Sequence, residues 1–141
     1  MTQNSIVLSE FVAMNEKVIH KCRTQFHSQA KEFLTDMTLL QLQGCMVIAE
    51  SNQIKMSDFA KALNLKTSGA TQLIDKLVEN KAVQRIQDKK DRRTVLITLS
   101  NKTKLKMIKI KKIQSSILAN IFSPLTENEL QILNTLFQKI I

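Results

Sequence analysis

Glycine and proline are scarce in this chain, with two and one copies among 141 residues, and tyrosine and tryptophan do not occur. Because glycine and proline interrupt helices, their scarcity favours long helices joined by tight turns, and the lack of glycine excludes glycine-rich phosphate loops. Two cysteines, Cys22 and Cys45, are too few for a disulfide framework and fit a reducing compartment. No segment reaches the ~20 apolar residues that span a bilayer, and no basic leader precedes an apolar run. These absences predict a soluble, cytoplasmic protein that does not associate with membranes.

Positive charge is concentrated in one part of the chain, whose net charge is +9. Residues 1 to 65 hold six cations and six anions, residues 66 to 93 hold eight and four, and residues 94 to 112 hold six and none. A localised excess of this kind is typical of a surface that binds a polyanion such as nucleic acid. The length and the 43% hydrophobic content are sufficient for one domain with a sizeable core.

Apolar periodicity and capping signals predict three helices in the first half of the chain. A long amphipathic helix covers residues 6 to 27. A second helix begins at Thr38, because Thr38 and Gln41 can form a reciprocal capping box, and it ends near residue 50. A shorter third helix covers about residues 57 to 63, with Ser57 as its cap.

The stretch from Asn64 to Ser100 predicts a turn, a helix and a β-hairpin. Asn64 tolerates the left-handed geometry that a tight turn between two helices requires. The helix after it runs from Thr67 or Ser68 to Glu79. Its core-facing residues are Ala70, Leu73, Ile74, Leu77 and Val78. Residues 82 to 87 and 94 to 99 have the β-branched character of two antiparallel strands, and the polar run between them predicts an exposed tip.

Two helices complete the chain. Ser100 begins a helix whose apolar side is predicted to contain Leu105, Ile108, Ile110, Ile113, Ile117 and Ile121. Its other side holds Lys102, Lys104, Lys106, Lys109, Lys111 and Lys112, which we interpret as a solvated face; an additional surface for phosphates or anionic ligands is the alternative. Thr126 and Glu129 then predict a second capping box at the start of the last helix.

This order of elements resembles the MarR family of winged helix-turn-helix transcriptional regulators. The matching stretches are residues 57 to 65, 70 to 77 and, above all, 91 to 100. The last begins with Asp91-Arg92-Arg93, which has the family's wing signature of an Asp, one spacer and an Arg; its strand ends in Leu99-Ser100 where the family has Leu-Thr. Three positions where the family usually has glycine differ: Asn64, the pair Asn80-Lys81 and Thr103. Asn80 is therefore expected to supply the left-handed cap of the recognition helix.

The resemblance covers nearly the whole chain, although it is specific only between Ile54 and Ser100. It implies a mainly α fold with a small two- or three-stranded antiparallel sheet. Residues 1 to 141 would form a single domain, with the winged helix-turn-helix over residues 36 to 100. Dimerisation helices over residues 6 to 27 and 101 to 141 would flank it.

The resemblance also implies that the helix after Asn64 enters the major groove of DNA. Thr71 and Gln72 are the candidates for reading bases, because Gln can bond adenine and the Thr methyl can contact thymine. Four further residues, in this helix or directly before it, are expected to hold phosphates: Lys66, Thr67, Ser68 and Lys76.

In the wing, Arg93 is expected to enter the minor groove while Asp91 braces it. Lys89, Lys90 and Arg92 would contact the flanking phosphates. Because a narrow A·T-rich minor groove has an enhanced negative potential, we expect an A·T-rich operator.

The function implied is that of a transcriptional regulator, more often a repressor, which binds a palindrome as a homodimer and needs no cofactor or metal. A small phenolic or other apolar, anionic effector would release it. Cys22 shares an apolar face with Val18 and Phe26, and Cys45 shares one with Leu42 and Ile48, which favours packed core positions. A redox-sensing regulator that uses Cys22 is an alternative.

Two other classes of protein compete with this interpretation. An enzyme is not indicated, because no catalytic spacing of Ser, His, Asp or Cys and no phosphate loop occurs. A winged helix that binds protein instead of DNA would require Arg92 and Arg93 to be paired or buried.

Overall fold

The computed structural model describes residues 3–141, which form six helices and three strands. The elements are α1 (Gln3–Leu34), α2 (Leu39–Ser51), β1 (Gln53–Lys55), α3 (Met56–Ala62), α4 (Thr67–Glu79), β2 (Val83–Gln87), β3 (Val95–Leu99), α5 (Asn101–Phe122) and α6 (Glu127–Gln138). The strands form one antiparallel sheet in the order β1-β3-β2. The predicted fold class, mainly α with a small antiparallel sheet, is confirmed. No helix in this part of the chain has the length and apolar run needed to cross a membrane.

The chain divides into two compact units. One unit is Lys31–Lys111 and contains α2, α3, α4 and the sheet, together with the last residues of α1 and the first half of α5. The other is Met1–Ala30 with Lys112–Ile141 and contains most of α1, the second half of α5 and α6. The predicted DNA-binding part, residues 36 to 100, falls within the first unit.

The core of unit Lys31–Lys111 draws on α2, α3, α4, α5 and all three strands. Its fully buried side chains are Leu42, Cys45 and Ile48 of α2, Phe59 of α3, Ile74 and Leu77 of α4, Val83 of β2, Ile97 of β3 and Ile110 of α5. Complete burial of an aliphatic or aromatic side chain contributes about 1.5–3 kcal/mol. The apolar face predicted for α4 is confirmed, with Ala70, Leu73, Ile74 and Leu77 buried and Val78 half-buried.

Both predicted capping boxes are present. The Thr38 amide donates to Oε1 of Gln41 at 2.9 Å, and the Gln41 amide donates to the Thr38 hydroxyl at 3.2 Å. At the start of α6, the Thr126 amide donates to Oε2 of Glu129 at 2.8 Å, and the Glu129 amide donates to the Thr126 hydroxyl at 3.3 Å. The Thr126 amide and then its hydroxyl hold the pKa of Glu129 below its usual value, because both hydrogen bonds favour the ionised carboxylate.

The start of α3 differs from the prediction, because Ser57 is not its cap. The residue before α3 is Lys55, the last residue of β1, whose extended backbone leads directly into the helix without a side-chain cap. Strand β1 was not predicted as a separate element. It is only three residues long, too short to show alternation, and pairing of Ile54 with Ile97 holds it on the sheet.

The prediction of which residue takes the left-handed conformation is confirmed after α3 and wrong after α4. Asn64 has φ 52°, as expected, but Asn80 stays at φ −77° and Lys81 takes φ 55°. Two backbone hydrogen bonds end α4. The Ala82 amide donates to the Leu77 carbonyl at 2.8 Å, and the Lys81 amide donates to the Val78 carbonyl at 2.9 Å. This bonding pattern places the left-handed residue one position later than Asn80.

The inward face of α5 agrees with the prediction only in part. Ile110 and Ile117 are buried as predicted, but Leu105 and Ile108 are 63% and 53% exposed. Thr103 and Met107, which were not predicted, are buried as well. Positions 103, 107 and 110 lie on one helical face, and Leu105, two residues from both 103 and 107, points away from it. The lysines of α5 are exposed except Lys106, which is half-buried.

Candidate nucleic-acid interface

Helix α4 carries the predicted recognition residues on its exposed side. Five of them are exposed, namely Lys66, Thr67, Ser68, Gln72 and Lys76, and Thr71 is half-buried. Lys66 precedes the helix in an extended conformation, and in the described chain no side chain caps this end. The first backbone amides of α4 are therefore left for an external acceptor, and a helix N-terminus favours an anion such as phosphate.

Thr71 and Gln72 present different groups to the outside. The Thr71 hydroxyl donates to the Thr67 carbonyl at 2.9 Å, one turn earlier in the helix. Its hydrogen-bond donor is thus engaged, and its methyl group is what remains for an apolar contact. Gln72 is exposed and keeps its whole amide available.

The wing is a regular hairpin whose tip is ordered by two aspartates. Strands β2 and β3 pair as far as Gln87 with Val95, and the Asp88 amide then donates to the Thr94 carbonyl at 2.9 Å. The Asp88 carboxylate accepts from the Lys90 amide at 2.9 Å. The Asp91 carboxylate accepts from the Arg93 amide at 3.0 Å and from the Thr94 hydroxyl at 3.1 Å. Such side chain to backbone bonds are the usual way in which Asp stabilises a turn.

Asp91 braces the backbone at Arg93 rather than its guanidinium. Ion pairing of Asp91 with Arg93 is not observed, and within residues 3–141 the arginines of the tip, Arg92 and Arg93, have no acidic partner. Both are exposed, as are Lys89 and Lys90. The hydrogen-bonded turn therefore carries a cluster of four exposed cations, none of which forms an ion pair with the acids of residues 3–141.

One ion pair joins the recognition helix to the wing and was not predicted. Arg85 of β2 donates from Nη2 to Oδ1 of Asp75 on α4. Helical periodicity places Asp75 on the exposed face of α4 but indicates no partner for it. Ten residues separate the two, and their contact depends on how β2 packs against α4, which periodicity does not reveal.

The two cysteines have different environments. Cys45 is fully buried, which confirms the predicted core position, and burial raises the pKa of its thiol to about 11 although the Lys106 ammonium partly offsets the shift. Cys22 is only half-buried, so a packed core position is not confirmed for it. It lines a cleft of about 340 Å³ within unit Met1–Ala30 and Lys112–Ile141, together with Arg23, Phe26, Gln114, Ile117 and Leu118.

The sequence of this region is similar to known regulators. The family model described as "MarR family" matches residues 37–95. The HTH-type transcriptional regulator YfiV of Bacillus subtilis is 30% identical over 69 residues, which are 49% of this chain and 43% of that protein. The HTH-type transcriptional repressor MdtR of the same organism is 26% identical over 103 residues, 73% of this chain and 64% of that protein. The chain thus matches less than two thirds of the length of either relative.

The fold is that of solved regulators as well. The crystal structure of FabT of Streptococcus pneumoniae in complex with DNA superposes on this chain with a TM-score of 0.74 at 16% sequence identity. The superposition covers 99% of this chain and 94% of the FabT chain. The order of elements, the matched stretch from α2 into the wing and the exposed recognition helix all agree. Residues 37–95 therefore match the MarR family, and the chain has the fold of solved regulators of this kind.

Proposed function

We propose that this protein binds a palindromic, A·T-rich operator in double-stranded DNA as a homodimer in the cytoplasm, that it represses transcription, and that a small apolar, anionic effector releases it. The observation that carries the proposal is the wing tip. Four exposed cations, Lys89, Lys90, Arg92 and Arg93, stand on a turn that two aspartates hold in place. Because the backbone is already ordered, less conformational entropy is lost when the side chains bind.

The rival interaction-module hypothesis expects Arg92 and Arg93 to be buried or paired. Both are exposed, and in the described part of the chain neither has an acidic partner. Unpaired arginines beside an exposed helix suit a polyanion better than a neutral protein surface. We assign Arg93 to the minor groove and Lys89, Lys90 and Arg92 to phosphates, with Asp91 as the brace of the turn.

On α4, we assign Gln72 and the Thr71 methyl to base edges in the major groove. Lys66, Thr67, Ser68 and Lys76 would hold phosphates, with the uncapped amides of the first turn as additional donors. This division separates residues that read sequence from residues that set the position of the protein on the duplex.

The dimer is proposed from the distribution of exposed apolar side chains. In unit Met1–Ala30 and Lys112–Ile141, many large apolar side chains are at least 42% exposed. On α1 they are Ile6, Val7, Leu8, Phe11, Val12, Met14 and Ile19, and in the C-terminal part they are Leu118, Ile132, Leu136, Phe137, Ile140 and Ile141. Exposed apolar surface on this scale marks an interface. We therefore propose that residues 6 to 27 and 105 to 141 bring two copies together, with recognition helices about 34 Å apart, one turn of DNA.

Repression is proposed because MdtR is a transcriptional repressor by name, and DNA binding because FabT was crystallised with DNA. The direct test is selection of binding sites from random duplex DNA with the purified protein. An enriched palindrome supports the proposal, and failure to enrich any sequence contradicts it.

Gel-shift titrations at several salt concentrations test the division of labour. Arg93→Ala should weaken binding most for duplexes with A·T-rich flanks. Lys89→Ala should lower affinity for all sequences and reduce the slope of log affinity against log salt by about 1. Equal losses from both variants, regardless of sequence, would reject the assignment of Arg93 to the minor groove.

The cleft at Cys22 is our candidate for the effector site. Phe26, Ile117 and Leu118 offer an apolar wall, and Arg23 offers a cation for a carboxylate or phenolate. Salicylate as probe should raise the melting temperature of the wild type and should not raise that of Arg23→Ala. Benzyl alcohol, a neutral compound of similar size, is the control. Loss of DNA binding on mild oxidation, abolished in Cys22→Ala, would instead favour the redox alternative.

A further inference from the structure

The ion pair between Asp75 and Arg85 has little value as a stabilising contact. Its side chains are 51% and 39% exposed, so water and salt screen the attraction between their charges. It is nevertheless the one ion pair found within residues 3–141. Its location, between the recognition helix and the strand that leads to the wing, points to a role in binding.

Asp75 lies on the face of α4 that the proposed function turns to DNA. It follows Gln72 by three residues and Thr71 by four, so the three share one side of the helix. A carboxylate at this position repels phosphates unless a cation neutralises it. Arg85 supplies that cation, and in doing so it is itself withheld from phosphates.

Arg85 also connects the recognition helix α4 with the wing. It stands in the middle of β2, two residues before Gln87, where the paired part of the wing ends. A hydrogen bond from its guanidinium to Asp75 therefore ties the base of the wing to the middle of α4. Such a tie restricts the orientation of the wing relative to the recognition helix.

We propose that Asp75 and Arg85 form a clamp that increases sequence discrimination: Asp75 keeps Arg85 from binding phosphates non-specifically, and the pair aligns the wing with the recognition helix. Both are positioning residues. This inference rests on the proposed DNA-binding function, and it assigns to the pair a role in choosing sequence rather than in affinity as such.

The clamp makes opposite predictions for its two partners. Asp75→Ala frees Arg85 for one more phosphate, so affinity for random duplex should rise about fivefold at 0.1 M salt and the salt slope should steepen by about 1. Arg85→Ala leaves the carboxylate unpaired beside phosphates, so affinity for every duplex should fall. The ratio of selected-site to random-site affinity should fall about fivefold or more in Asp75→Ala.

The double variant Asp75→Ala with Arg85→Ala separates charge from alignment. The pair has no net charge, so its removal should return the affinity for random duplex and the salt slope to wild-type values. The discrimination ratio should remain low, because the tie between α4 and the wing is lost. Asp75→Asn keeps an oxygen that can accept from Arg85 and should therefore retain more discrimination than Asp75→Ala.

Glu79→Ala is the matched control, since Glu79 is an exposed acid one turn further along α4 that has no ion pair in the described chain. It should change random-site affinity less than Asp75→Ala does and leave the discrimination ratio unchanged. Thermal unfolding of each variant would verify that all fold.

The measurements are fluorescence-anisotropy titrations of the full-length protein with a selected duplex and a random duplex at several salt concentrations. Unchanged discrimination and slope in Asp75→Ala would overturn the clamp, as would equal losses for both duplexes, which indicate a purely structural contact. If the wild type itself binds no duplex preferentially, the proposed function fails before the clamp is tested.

Discussion

The two glycines of the chain occupy helices for different physical reasons. A Cβ on Gly44 of α2 would lie 3.1 Å from Cζ of Phe59, which is fully buried. A Cβ on Gly69 of α4 would have no atom within 4 Å. Packing within the chain therefore accounts for Gly44 but not for Gly69, and close approach of DNA to the start of α4 would account for the second.

Gly69→Ala should therefore raise stability and lower DNA affinity. An alanine in a helix is favoured over glycine by about 0.5–1 kcal/mol, and here the methyl group meets nothing in the protein. If the backbone of α4 approaches a duplex at this point, the same methyl group would weaken binding several-fold. Urea unfolding and a gel-shift titration measure the two effects.

Gly44→Ala is the control for this experiment. Its methyl group presses on a buried ring, so the gain in helix propensity should be offset by the displacement of Phe59. DNA affinity unchanged in Gly69→Ala would mean that the backbone there does not approach the duplex closely.

Cys45 gives the stability a dependence on alkaline pH. Burial raises the pKa of its thiol from 9.0 to about 11, so between these values the unfolded chain loses a proton that the folded chain keeps. Stability is fully present below pH 9 and should fall by about 1.4 kcal/mol per pH unit as the pH rises towards 11.

Urea unfolding of the wild type and of Cys45→Ala at pH 8 and pH 10 would measure this loss. The variant lacks the thiol but keeps every lysine, and neither protein contains tyrosine, so the Cys45 thiol is the titrating group that differs between them. The variant should lose less stability between the two pH values. Parallel losses in both proteins would show that other groups cause the alkaline destabilisation.

At the scale of elements, α3 and α4 end in the same way. The Leu65 amide donates to the Ala60 carbonyl and the Ala82 amide to the Leu77 carbonyl, both at 2.8 Å, and a left-handed residue precedes each donor. After α3 that residue is Asn64, and after α4 it is Lys81. Lysine, unlike asparagine, has no local hydrogen bond that favours this conformation, so the second turn is the more strained.

Lys81→Gly should stabilise the protein by about 1 kcal/mol, because glycine adopts positive φ without steric cost. Lys81→Ala should give no such gain, because alanine keeps the Cβ that opposes the left-handed conformation. Thermal unfolding of both variants makes the comparison. A gain of equal size in Lys81→Ala would attribute the effect to the lost charge.

The prediction of elements succeeded where the local signal was strong. Thr38 with Gln41 and Thr126 with Glu129 are reciprocal pairs that involve only neighbouring residues, so the sequence identifies them reliably. Ser57 is also a residue type that often caps helices, but Ala60 stands where a capping box needs Gln or Glu, and the preceding strand, β1, decides where α3 begins. A capping residue is thus predictable only when the chain before it is free to take the cap conformation.

At the scale of the whole molecule, charge and exposed apolar surface are separated. The exposed cations of the recognition helix and the wing belong to unit Lys31–Lys111. Most of the exposed large apolar side chains belong to unit Met1–Ala30 and Lys112–Ile141. The proposed function assigns a different partner to each unit, DNA to the first and a second copy of the chain to the other.

Phe11→Glu should convert the proposed dimer to a monomer. Phe11 is 62% exposed on α1, and a carboxylate at this position would be buried in the proposed interface. Leu39→Glu is the matched control, since Leu39 is 70% exposed but lies in unit Lys31–Lys111. Sedimentation equilibrium at micromolar concentration should find the control dimeric. A wild type that is monomeric under these conditions would contradict the proposed dimer.

Sequence patterns alone predicted the order of the helices and of the hairpin, the apolar face of α4, both capping boxes and the resemblance to the MarR family. These depend on periodicity and on contacts between neighbours, which linear spacing records. The folded chain was needed to show that Thr103 and Met107 of α5 are buried and that Lys81 takes the left-handed turn. It was also needed to show that Asp91 accepts from the Arg93 amide and that Asp75 pairs with Arg85. The rotation of a helix about its axis and the register of a strand against a helix result from packing of the whole core, and no local pattern encodes them.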